Sequence, residues 1–237
     1  MRNEVVVINE ACLELTDNVI NLRIKEPELK LIIKGQVLIN ELFDNLNINQ
    51  KLTIEMAPKA HLLFNYLALN KNTKRQIIIN QTDNSQLTFN YAYLTKAPTE
   101  LELVININGN HNDNQININA VNIAAGQTTV TVTGTIAQQT KGNQVSENIS
   151  CLTLNNAPHK IRPNLIVNAG DCVVTHNATI NPLDPQEKFY LASKGLAPEV
   201  INKLLIKGFL SKKLYLEQTL INEVNERLET ELSSDES

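Results

Sequence analysis

The sequence predicts a mainly β chain, a solenoid whose turns stack on one another, closed at its C-terminus by a short helical region. Three observations carry this. Apolar residues come almost entirely from Ile, Leu, Val and Ala, with 4% aromatics and no tryptophan, a bias that suits regular stacked strands. The segments HLLFNYLAL (61–69) and QLTFNYAYL (86–94) share Leu, Phe, Asn, Tyr and a final Leu in register, 25 residues apart. The strands before them, LTIEM from Leu52 and IIINQ from Ile77, are separated by the same 25 residues, and LELVI from Leu101 begins 24 later. A period of this size carried by strands is the mark of a solenoid. The residues leave one alternative open, a β-sandwich whose hairpins recur.

Taken in order, the short β runs are EVVVI, LKLIIKG, QVLIN, LTIEM, QIIIN, LELVININ, QININAVNI, TTVTVTGTI and NLIVN. Clusters of Asn, Asp, Gly, Gln, Lys and Thr fall between them. Asparagine tolerates left-handed backbone and can bond its own main chain, so its abundance predicts tight corners. Near residue 181 the texture changes. Asp184 can cap a helix, Pro185 sits where a missing N–H costs nothing, Glu187 can close a capping box, and Gly195 supplies a left-handed stop. A second helix begins near Pro198, with Val200, Ile201, Leu204, Leu205 and Phe209 on one stripe. A third, from about Lys213, aligns Leu216, Leu220, Ile221, Val224 and Leu228. The predicted organisation is a β core over 1–180, a helical region over 181–232 and a disordered acidic tail over 233–237.

Composition narrows function. A net charge of −4 with scattered lysines supplies no general attraction for phosphate backbones, so nucleic acid is not expected as a partner. Glu4, Glu10, Glu14 and Asp17 interrupt any N-terminal secretory core, and no apolar run approaches the roughly 18–20 residues of a membrane span. A cytoplasmic protein without membrane contact is expected. Three cysteines with long gaps, Cys12, Cys151 and Cys172, fit reduced thiols there, and the glycosylation patterns at Asn148 and Asn177 then lose their meaning. The chain holds no P-loop, no Gly-x-Ser-x-Gly elbow and no HExxH helix. A carbohydrate-active β-helix enzyme would need paired carboxylates roughly 5–10 Å apart on adjacent coils, and the β region offers few acids on successive strands.

The segment GDCVVTHNAT (170–179) sets a cysteine beside a histidine. On a helix Cys172 and His176 could share an ion. On a strand they share a face but lie roughly 13 Å apart at about 3.3 Å per residue, too far for bonds of about 2.0–2.3 Å to one metal.

From about Thr128 to Leu210 the chain resembles the SufB/SufD family of iron–sulfur cluster assembly proteins. The ordered set His176, Ala178, Thr179, Leu183, Asp184, Phe189, Tyr190, Leu191, Ser193, Gly195 and Phe209, within THNATINPLDPQEKFYLASKGLAPEVINKLLIKGF, carries the match. CLTLNNAPHKIRPNLIV is similar to the family's preceding coil. Residues before about 125 fit in texture alone, and the resemblance leads one to expect a chain short for the family and lacking its large N-terminal helical domain. The resemblance implies a right-handed parallel β-helix with a C-terminal helical region. SufB-like members have Glu directly after the motif histidine, so Asn177 places this chain nearer SufD.

The resemblance further implies a non-ATPase scaffold subunit that pairs edge to edge with a SufB-like subunit or a second copy of itself. It would bind a SufC-like ATPase and receive sulfur indirectly from a cysteine desulfurase system. No tightly bound cofactor is expected, and a transient iron–sulfur cluster would form at the subunit contact. His176 becomes the metal or relay candidate, against the plain alternative of a strand-end histidine bonded at an interface. Cys172 stands one same-face step beyond Val174, where some SufD-like proteins carry cysteine, and otherwise reads as a small buried hydrophobe. Cys151 lies a few residues from the cluster-building cysteine of SufB-like proteins. Phe189, Tyr190, Leu191, Ile201, Leu205 and Phe209 become candidates for the SufC contact, against packing within the helical region itself. A purely structural member, whose partner supplies every ligand, is the further alternative.

Overall fold

The computed structural model describes residues 5–8, 10–24, 26–44, 49–69, 73–123, 127–154 and 158–233. The strands are β1 (Val5–Ile8), β2 (Cys12–Ile24), β3 (Glu28–Asp44), β4 (Asn49–Met56), β5 (His61–Leu69), β6 (Thr73–Gln81), β7 (Gln86–Thr95), β8 (Pro98–Ile107), β9 (Asp113–Asn122), β10 (Gln127–Ile136), β11 (Lys141–Thr153), β12 (His159–Val167) and β13 (Asp171–Asn181). Three helices follow, α1 (Pro185–Ser193), α2 (Pro198–Ser211) and α3 (Gln218–Ser233).

Every pairing among these strands is parallel. Hairpins, and with them the sandwich alternative, need antiparallel neighbours. The order β12-β10-β8-β6-β4-β3-β5-β7-β9-β11-β13 describes a parallel β-helix with two long faces, even-numbered strands on one and odd-numbered strands on the other. The join is β3, whose Glu28–Ile33 part pairs with β4 and whose Gln36–Asp44 part pairs with β5. The runs LKLIIKG and QVLIN are therefore one bent strand. Gly35 makes the bend at φ 67°, where a Cβ would stand 2.2 Å from Asp17 Oδ1. That oxygen accepts a 2.7 Å bond from Gln36 N–H.

The corner repeats from coil to coil. Asp17, Gly35, Lys59, Asn84, His111 and Gln139 all have positive φ, and Lys59 N–H, Asn84 N–H and His111 N–H donate to the carbonyls of Asp83, Asn110 and Lys141 in the next coil. Asn84 fits the corner role read from the sequence. Other asparagines do something else. Asn21, Asn40, Asn65, Asn90, Asn117, Asn148 and Asn177 lie in register across the odd-numbered face and the last part of β2. From Asn21 to Asn117 each amide donates to the preceding member's carbonyl oxygen at 2.9–3.1 Å. Repetition, not turn chemistry, explains this column, because identical side chains one strand apart satisfy one another's donor and acceptor.

Inside, Phe64 stacks on Phe89 with ring centroids 5.4 Å apart and Tyr66 on Tyr91 at 4.2 Å, so the repeated Phe-Asn-Tyr puts its rings in the core and its amide outside. A buried ion pair interrupts the apolar filling: Arg75 Nη2 lies 2.6 Å from Glu41 Oε2, with the guanidinium 4.5 Å from the Tyr66 ring centre. Burial is the largest single influence and would lower the Arg75 pKa, but the charge and hydrogen bond of Glu41 together with Tyr66 and Tyr91 raise it overall.

A second apolar layer lies outside the odd-numbered face. Leu67, Leu69, Ala92, Leu94, Val121 and Leu152 meet Leu183, Ile206, Leu210, Leu214, Val224, Leu228 and Leu232 from the helical region, and Asn65 Nδ2 also donates to Tyr215 O at 3.0 Å. The strands beneath are buried on both faces, which is why β5, β7 and β9 read as continuous runs. Asp184 caps α1 through Gln186 N–H at 2.8 Å, and Gly195 follows at φ 85°. The third helix starts at Gln218, later than the predicted Lys213, so Leu216 precedes it. Ser233 closes α3, and the rest of the predicted tail lies outside the described residues.

Candidate functional site

The stack stops at β12 and β13. Among the described residues each pairs on one side only, β12 with β10 and β13 with β11, so the last coil presents two open strand edges and the end of the interior. Apolar side chains are exposed there, Val173 at 64%, Ile166 at 49% and Ile180 at 48%. Unpaired edges of this length are a template for another strand unless something covers them.

Register fixes which residues share this end. Along β11, Asn143, Val145, Glu147, Ile149 and Cys151 are buried in alternation. Their partners on β13 are Cys172, Val174, His176, Ala178 and Ile180, and Cys172 and Val174 pack against the interior core. Residues paired across parallel strands share a face, so His176 belongs to the inward-facing row, with no further coil above it. It is exposed.

The three sequence candidates thus face one interior, but apart. Cys172 and His176 are on one strand, as the spacing predicted, and are separated by roughly 13 Å along it. Cys151 pairs with Ile180, so it stands at the other end of the row from Cys172. Burial pushes its thiol up to about 12, leaving it protonated at neutral pH and a poor nucleophile. The Cys172 thiol makes a long contact of 3.9 Å to Ala169 O.

Sequence reasoning missed Glu147. Its side chain is 4% exposed, its Oε2 is buried with no hydrogen-bond partner among the described residues, and it pairs in register with His176. Its flanking inward neighbours, Val145 and Ile149 on its own strand and Val174 and Ala178 on β13, carry no charge. Burial raises the carboxyl to about 7. The signal available earlier was a lone acid within QVSENIS, a stretch too polar to read as a strand. His159 is half-buried at the start of β12. Its Nε2 is 2.9 Å from Leu152 O, and desolvation lowers its pKa against that bond.

The helical region contributes a groove of about 630 Å³ between α1 and α2, lined by Tyr190, Leu191, Leu204, Leu205, Phe209 and Lys212 among others. Of the six predicted contact residues, Phe189 and Tyr190 are 77% and 60% exposed. Leu205 and Phe209 are half-buried against the outer apolar layer, Leu191 is half-buried, and Ile201 is buried and used within the fold. Outward carboxylates elsewhere take basic or amide partners, Glu14 with Lys34, Glu100 with Lys74, Glu55 with Asn80 and Glu102 with Gln76, not the second acid that glycoside hydrolysis requires. No helix among the described residues is long and apolar enough to cross a membrane.

Residues 39–209 match the family described as SUF system FeS cluster assembly, SufBD core domain. The chain belongs to the SufBD core family. The match begins at Ile39, within β3, upstream of the Thr128–Leu210 stretch whose residues carry the resemblance. This SufBD core chain is also 31% identical over 99 residues to the iron–sulfur cluster assembly SufBD family protein PH1385 of Pyrococcus horikoshii, an alignment covering 39% of this chain and 21% of that protein. The chain therefore aligns with about a fifth of that relative's length. The family itself is described as one of iron–sulfur cluster assembly.

Proposed function

We propose that this chain is a non-ATPase, SufD-like scaffold subunit of a SUF-type assembly complex. The observation that carries the reading is the open last coil, where two unpaired edges flank an inward row ending in His176. Paired edge to edge with a SufB-like subunit or a second copy of itself, β13 gains the strand its backbone lacks, and His176 comes to lie at the junction between the two interiors. His176 is then the ligand or relay for a transient cluster. Cys172 and Cys151, each roughly 13 Å along a strand from the His176–Glu147 level, serve at most at separate steps. The groove between α1 and α2 receives a SufC-like ATPase, with Phe189 and Tyr190 as the exposed apolar contacts. Asn177 after the histidine favours the SufD-like assignment, and a cytoplasmic location and sulfur supply from a cysteine desulfurase follow from the same reading.

Affinity capture of the tagged chain from its native cell tests this. Recovery of SufC-like and SufB-like proteins is expected, lost for the ATPase alone when Phe189 and Tyr190 are both replaced by Ser. Recovery of neither partner with the unmodified chain overturns the reading.

A further inference from the structure

The buried carboxylate at the end of the stack lacks a structural explanation. An acid 4% exposed among apolar neighbours is ordinarily paired with a cation or bonded, and Glu147 Oε2 has no hydrogen-bond partner among the described residues. Replacing it with an apolar residue would relieve the burial cost and fit the column it occupies, which runs Ile39, Phe64, Phe89, Ile116, Glu147 and His176. Four apolar residues in succession give way to an acid and then a histidine, at the one place where the column meets the open end.

We infer that Glu147 and His176 together form a two-ligand half-site for a divalent first-row transition metal, with Glu147 Oε2 as the carboxylate donor and the His176 imidazole as the nitrogen donor. Neighbouring strands are about 4.8 Å apart. Side chains on one face at that spacing can both reach an ion held at about 2.0–2.2 Å from nitrogen and oxygen ligands. One carboxylate and one neutral imidazole suit iron(II) or zinc, and a protein supplying only two donors leaves positions open. Those positions face out of the last coil. Binding replaces two metal-bound waters with Glu147 and His176 and releases a proton from whichever of the two carries one, with no change of oxidation state. The inference rests on the scaffold reading for its purpose, which is to hold the metal before sulfur arrives, and on the Glu147–His176 register for its chemistry.

Cobalt(II) alone, titrated into the full chain and followed by its visible absorption and by NMR of the His176 ring, tests it. One ion per chain is expected, with the His176 resonances broadened by the paramagnetic centre. Glu147→Gln, which keeps the shape and removes the charge, should weaken binding by at least about tenfold, the scale on which even outer partners of metal ligands matter, and should abolish the broadening at His176. His176→Ala should weaken binding equally, while Cys172→Ser leaves it unchanged. Wild-type affinity in Glu147→Gln, or no binding by the wild-type chain, overturns the half-site. Partner capture by Glu147→Gln separates the two readings: unchanged capture beside unchanged cobalt affinity defeats the half-site alone, and failed capture by the unmodified chain defeats the scaffold reading alone.

Discussion

The middle coils and the last coil are built on the same columns and spend them differently. At the level of β5 and β7 the inward positions carry Phe64, Tyr66, Phe89 and Tyr91, stacked ring on ring with strands on both sides. Two and three coils later the same columns carry Ile149 and Glu147, then Ala178 and His176. In the middle each ring is enclosed by side chains from the coil before and the coil after. At the end there is nothing above, so an ionisable group stays within reach of solvent or of another chain. By ending the stack, the parallel β-helix turns an inward core position into one open to solvent or to another chain.

The sharpest test of that contrast is to remove one residue from the middle and one from the end of the same column. Phe89→Ala should cost about 3–5 kcal/mol in chemical denaturation, the range for emptying a buried aromatic site, whereas His176→Ala should stay within about 0.5 kcal/mol. Equal costs would mean that the last coil is as tightly packed as the middle. Breaking the interior ion pair with Arg75→Ala should cost a similar 3–5 kcal/mol by stranding Glu41 in the core, although Arg75→Met paired with Glu41→Leu should recover most of it. The asparagine column gives a smaller version of the comparison. Asn90→Ala interrupts two ladder bonds and should cost about 1–3 kcal/mol; Asn177→Ala, on the exposed strand, should be close to neutral.

The smallest effect is a pH dependence. His159 has a folded pKa below its unfolded value of about 6.5. Above that unfolded value both states are neutral and the group contributes no slope. As pH falls below it the unfolded chain takes up the proton first, so stability declines until the folded pKa is passed. Unfolding curves between pH 7.5 and 5 should show this slope in the wild type and a shallower one in His159→Gln. An identical slope in both would remove His159 as the source.

How much of this was legible beforehand differs from element to element. The Phe-Asn-Tyr repeat revealed the stacking because it keeps a constant 25-residue spacing, and the structure pairs it residue for residue. β11 was not read as a strand, since KGNQVSENISCLT carries polar side chains at inward as well as outward positions. Its inward Glu147 was invisible for the same reason. The Asn residues were assigned to corners on local chemistry, and the column escaped notice because its members are 19 to 27 residues apart where they bond. The Asp184 cap is legible in the sequence because its bond from Gln186 N–H spans only two residues.

Alone, then, the sequence determined the elements whose causes are local or strictly periodic: the repeated strands, the Asp184 cap, the Gly195 stop and the absence of a P-loop. Only the tertiary structure decided which distant residues meet. Coil spacing drifts from the 25 residues separating Asn65 and Asn90 to the 31 separating Asn112 and Asn143, and in a sheet a slip of a single residue turns every side chain to the other face. No local rule sums those loop lengths. That His176 lies beside Glu147, and not beside Cys151 or Cys172, is a property of the register of β11 against β13.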